Sequence, residues 1–132
     1  MKASELQLGD WIQGYLPDTY SKVCGILNET RIAVTTKDGT YMEVSIEDIQ
    51  PILLTSEILE KNGFGYIEKD ENILHYYLGE PYFSKDLNLH IGTYNTGRFW
   101  LNYYYNYIHG LRYVHQLQEA FRLFGIEKEI EL

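Results

Sequence analysis

Over the first fifty residues, apolar positions come in short alternating runs broken by turn residues, the period-two pattern of strands. Trp11, Ile12, Gln13, Gly14 and Tyr15 form one such run, and Pro17-Asp18 breaks it. Residues 22–27 and 31–36 form two more, joined by Asn28-Glu29-Thr30. Lys37-Asp38-Gly39-Thr40 predicts a hairpin turn, because Gly39 accepts the positive φ such turns require. Residues 41–44 then pair back. Residues 45–48 read as one tight helical turn before a last short strand over 49–52.

Five short strands with a single turn before the last predict a small SH3-like β-barrel over residues 1–53. The pattern then changes. In Leu54-Thr55-Ser56-Glu57-Ile58-Leu59, Thr55 can cap the first free amides of a helix while Leu54 staples onto Leu59. Glu57 suits the positive end of the dipole, and Asn62-Gly63 supplies the stop. Thr55 therefore marks a boundary, with no linker between the two parts.

Strand patterns return after this helix. Residues 66–69 and 73–78 flank the polar turn Asp70-Glu71-Asn72. Leu87, Leu89 and Ile91 alternate with Asn88 and His90, as in a half-buried strand, and Tyr94-Asn95-Thr96-Gly97 reads as a turn. On the next strand Phe99, Leu101, Tyr103 and Tyr105 share one face, leaving Trp100, Asn102 and Tyr104 on the other. Leu111, Val114, Leu117, Phe121 and Phe124 recur at helical spacing and predict a C-terminal helix over 111–125. The whole reads as α+β: the barrel over 1–53, then helix, three or four antiparallel strands and helix over 54–132.

Charge changes the picture modestly. The net charge of -8 disfavours general affinity for phosphate backbones. Between positions 72 and 116, however, only Glu80 and Asp86 oppose Lys85, Arg98 and Arg112, so the aromatic-rich middle is nearly neutral. Cys24 is the single cysteine, which rules out an internal disulfide and an all-cysteine metal cage. Its expected place is a small buried position. The start of the chain lacks the apolar run of a secretory leader, and no stretch has the length of a membrane span. The expected location is the cytoplasm.

Beside the apolar stripe of the C-terminal helix lies a polar cluster that packing does not demand: His115, Gln116 and Gln118. The run Val114-His115-Gln116-Leu117-Gln118 resembles a signature of small uncharacterised proteins of Bacteroides-type gut bacteria and their prophages or mobile elements. Leu54-Thr55 and Gly63-Phe64 support the resemblance. So do the opening Leu8-Gly9-Asp10-Trp11-Ile12 and the stretch from Ile46 to Ile52. The chain departs from that family near its end, where Phe121-Arg122-Leu123-Phe124-Gly125 keeps only the glycine of an expected Thr-Gly pair. The resemblance implies a fold and a cellular context, and no activity comes with it.

Histidine can act as general base or metal ligand, so His115 is the candidate centre of an enzyme reading. It lacks a partner at ligand spacing: His109 falls on another helix face, and no His-x-x-x-His pair occurs. His75 and His90 sit on separate strands. No serine lies in a nucleophile-elbow pattern and no glycines form a phosphate cradle, so no cofactor is expected. The bland alternative for His115 is a hydrogen-bonded structural histidine; of Gln116 and Gln118, one is expected to face solvent and the other to cap the backbone of a neighbouring strand. Thirteen tyrosines are the other unusual feature. Trp100 and Tyr104 with Arg98 form a candidate binding face, suited to a protein partner or self-association more than to nucleic acid. The expected function is a non-enzymatic protein-interaction module, with a nucleic-acid accessory protein and a His115-centred enzyme as rivals.

Overall fold

A computed structural model describes residues 1–14, 19–64, 66–70, 72–77, 89–94 and 97–132. The expected break at Pro17-Asp18 lies outside them, as do Leu87, Asn88, Glu71 and the Asn95-Thr96 centre of a predicted turn. The fold is α+β, and the chain divides into two compact units. One holds residues 1–53 and 113–119, the other residues 54–112 and 120–132.

In the first unit, β1 (Trp11–Gln13), β2 (Tyr20–Ile26), β3 (Arg31–Thr36) and β4 (Tyr41–Ser45) form an antiparallel meander in that order. The four-stranded sheet is open and does not close into a barrel. An isolated antiparallel bridge between Gln13 and Gln50 adds a fifth segment beside β1, with reciprocal 2.9 Å backbone bonds. Ala3, Leu6, Ile12, Val23, Ile32, Val34 and Ile49 make the core, with Val44 and Ile46 packed against it.

The turns obey local chemistry. Asn28 Oδ1 accepts from the amides of Thr30 and Arg31, each at 2.9 Å. Gly39 stands at φ +89°, while the Asp38 carboxylate takes the Thr36 hydroxyl and the Thr40 amide. Ser45 Oγ accepts from Glu47 N at the head of the 3-10 turn Ile46–Asp48.

Cys24 is exposed, contrary to expectation. The β2–β3 register slips between Val23 and Gly25, so Cys24 is the extra residue of a bulge and turns out of the core.

In the second unit α1 (Ser56–Lys61) begins as expected, with Thr55 Oγ1 accepting from Ile58 N. It ends in a Schellman motif: Gly63 at φ +92°, with Phe64 N bonded to Leu59 O and Gly63 N to Glu60 O. Then β5 (Tyr66–Asp70), β6 (Ile73–Tyr77), β7 (His90–Thr93), β8 (Phe99–Tyr103) and β9 (Asn106–Leu111) form a second antiparallel meander. It has five strands, one more than the largest number expected. β7, read as half-buried, is buried at all four positions because it is the central strand.

Leu111 closes β9 opposite Phe99 and is not helical. The helix α2 (Val114–Leu123) starts three residues later, with Val114, Leu117, Ala120 and Phe121 buried.

Candidate functional site

Three groups of side chains are candidates for a site, the first of them in the first unit. Gln118 is buried, its Oε1 accepting from Trp11 N at 2.8 Å and its Nε2 donating to Gly9 O at 2.9 Å. It bridges the backbone on both sides of Asp10, and so is the one of the two glutamines that caps a strand. Gln116 acts more locally, its Oε1 accepting from Tyr113 N, an otherwise orphaned amide at the head of α2. His115 is only 4% exposed, stacks on Tyr113 at 5.8 Å, and its Nδ1 has no hydrogen-bond partner. Burial holds the imidazole below its ordinary pKa, against the opposing pull of Asp10 and Glu5. A neutral, enclosed ring of this kind suits packing better than proton transfer with a solvent-borne substrate. Two of the basic residues of this unit are committed to aromatic rings, Lys22 and Lys37 standing 5.0 and 5.9 Å from the Trp11 ring centre.

The second group lies on one face of the five-stranded sheet. Register places Tyr77, His90, Asn102 and Tyr107 in one cross-strand row and His75, Gly92 and Trp100 in the next. Period-two alternation puts both rows on the same face, away from the one carrying Tyr76, Ile91, Phe99 and Leu101. That other face is apolar and buried, and Tyr76 reaches Ser56 of α1 through a 2.6 Å hydroxyl contact.

On the aromatic face, Trp100 lies across Gly92. A Cβ at position 92 would stand 2.3 Å from Trp100 Cζ2 and 2.4 Å from Cε2. Only glycine permits this approach. Tyr94 tilts against the indole at 5.1 Å and His75 meets it edge-to-face at 6.4 Å. His75 Nδ1 and His90 Nε2 are 2.6 Å apart, and Tyr77 stacks on His90 at 4.9 Å. Nothing in the sequence pairs these two histidines. They meet because β6 and β7 are adjacent and place them on diagonal positions of one face.

The third group is the β8–β9 hairpin. Tyr104 and Tyr105 form its turn at φ +50° and +64°, and both are exposed, at 54% and 60%. Two successive residues at positive φ are the hallmark of a type I′ turn, which favours Asn-Gly. Tyrosine meets a steric cost there. Tyr103 packs edge-to-face on Tyr104 at 4.5 Å, and Asn106 Nδ2 donates to the carbonyls of Tyr103 and Tyr104. Tyr107 beside the turn is exposed as well.

The expected Trp100/Tyr104/Arg98 face therefore needs correction. Strand β8 stops at Tyr103, so Tyr104 and Tyr105 leave the alternation and belong to the turn. Arg98 is exposed just before β8, its carbonyl accepting from Thr93 Oγ1 at 2.8 Å. Trp100, Tyr104 and Arg98 fall in the second unit, His115 and Gln118 in the first. Among the described residues, no group of three or more His, Cys, Asp or Glu side chains is placed to hold a metal ion. No described helix is long and apolar enough to cross a membrane. The chain matches no protein-family model, no curated protein and no solved structure.

Proposed function

We propose that the protein is a cytoplasmic, non-enzymatic interaction module that contacts a protein partner through the tyrosines of its β8–β9 hairpin. The observation that carries this reading is the Tyr104–Tyr105 turn. Two bulky rings occupy left-handed backbone positions and face solvent instead of a core. Strain of this kind is kept where it serves something other than folding. Tyrosine is among the residue types enriched at protein interfaces. Tyr107 and Tyr94 add two further exposed rings to the same unit.

A protein surface suits this set better than nucleic acid does. The chain carries -8 overall, and Lys22 and Lys37 already stand over aromatic rings. The enclosure of His115 argues against an enzyme centred on it. In the first unit, the meander, the 3-10 turn and the Gln13–Gln50 bridge together suit an SH3-like strand order. That order supports a small binding scaffold, and the resemblance at Val114 to Gln118 supports a prophage or mobile-element setting.

The test is capture from a host lysate on immobilised protein, with Tyr104→Ser/Tyr105→Ser as the comparison. The expected result is a protein retained by the wild type and lost with the variant. Equal retention by both would overturn the assignment of the hairpin.

A further inference from the structure

The His75–His90 contact has a geometry that constrains its protonation. Its nitrogens are 2.6 Å apart while the ring centres are 4.8 Å apart and the planes differ by 24°. The difference between the two distances is just two centroid-to-nitrogen radii, so both nitrogens lie close to the line joining the rings. The rings meet head-on, and one N–H donates to the other ring's lone pair.

Such a pair has room for one proton between its facing nitrogens. With both rings neutral, one facing nitrogen carries the proton and the other accepts it. A further proton can go to an outer nitrogen and leave the bond in place, now charge-assisted. A second added proton must occupy the accepting nitrogen. Two N–H groups then point at each other and two cations stand in contact, so the rings part.

We infer that this pair is an acid-sensitive latch for Trp100. His75 flanks the indole edge-to-face while Gly92 supports it from below. When double protonation drives His75 from His90, the indole loses that flank and its contact with Tyr94 loosens. The aromatic surface around Trp100 is thereby set by pH. Among the described residues, the titratable ones around the pair are Tyr77 on β6, Tyr94 beyond the end of β7, and Tyr107 with His109 on β9. β8 contributes only the neutral Trp100 and Asn102 to this face. Tyr77 and His90 are buried and Trp100 is half-buried, so the latch lies beneath the surface of the unit that carries the hairpin; as a control on that unit's contacts it rests on the interaction reading above. Its test needs no partner, so the two can fail separately.

The experiment is an NMR titration of the full chain, following the histidine rings and the Trp100 indole N–H. The expected result is that His75 and His90 shift together in two steps, the second well below the ordinary imidazole value of about 6.5. The Trp100 signal moves with the second step. In His90→Gln, whose amide can bond His75 but takes no proton, the Trp100 signal stays fixed through the acid range. His75→Asn gives the same test from the other ring should His90→Gln fail to fold. Two independent single steps near 6.5 would overturn the latch. So would a Trp100 signal that ignores the second step, or one that moves as much in the variant as in the wild type.

Discussion

The molecule turns two of its hairpins in opposite ways. Between β3 and β4 the positive-φ position is Gly39, and the Asp38 carboxylate gathers the loop's hydroxyl and amide. Between β8 and β9 the same sign of φ falls on Tyr104 and Tyr105, whose rings lie in solvent. The first turn is made of residues that favour its backbone. The second is made of residues that oppose it, at about 1–2 kcal/mol each for a left-handed L-residue. A turn chosen only for folding would look like the first. The contrast separates a turn built on satisfied local rules from one that departs from them where its rings are displayed.

The largest effect is expected from breaking the rule-abiding side. Gln118→Ala removes both partners of the Trp11 amide and the Gly9 carbonyl, and leaves buried backbone groups unsatisfied. The loss should be roughly 2–4 kcal/mol by denaturant unfolding. A change under about 0.5 kcal/mol, the ordinary range for a surface substitution, would mean that this clamp is dispensable.

Gly92→Ala tests the other side. The added methyl meets the indole ring well inside contact distance. Destabilisation of roughly 1–3 kcal/mol is expected, as for overpacking, together with a change in indole environment read by NMR. An unshifted Trp100 signal would show that the ring has room to spare.

Local preference explains which parts of this fold are legible in the sequence. Gly39, Thr55 and Asn62-Gly63 announce a turn, a cap and a stop because each residue favours one local conformation. The β3–β4 hairpin and α1 are visible for that reason. Tyr104-Tyr105 announces nothing, since tyrosine favours strands. The turn therefore reads as more strand, β9 goes unrecognised, and Leu111 is assigned to the helix. His75 and His90 are fifteen residues apart, and only the β6–β7 register brings them together. Cys24 is misplaced by a bulge that its neighbours do not signal. That one of Gln116 and Gln118 caps a strand is legible, but which one is not, and neither are the two partners of Gln118, more than a hundred residues away.

A smaller, pH-dependent effect should come from His115. Its folded pKa lies below the unfolded one, because burial disfavours the charged ring more than Asp10 and Glu5 favour it. As pH falls, the unfolded chain takes up the proton first, so acid favours unfolding. The contribution is complete above about pH 6.5 and is lost progressively below it, down to the folded pKa. Tm measured from pH 7.5 to 5 should fall more steeply for the wild type than for His115→Gln. Parallel slopes would contradict the assignment of an enclosed, neutral ring.

The two hairpins can finally be made alike. Tyr104→Asn/Tyr105→Gly gives the second turn the residues its backbone favours. The relieved strain is offset in part by the entropy that glycine adds to the unfolded chain, so a net gain of roughly 0.5–1 kcal/mol is expected. The decisive measurement is stability and partner capture on this one variant. The account predicts a protein that unfolds at higher denaturant and no longer retains its partner. A variant that captures as well as the wild type, or that is less stable than it, would contradict the claim that these tyrosines are kept for contact rather than for the fold.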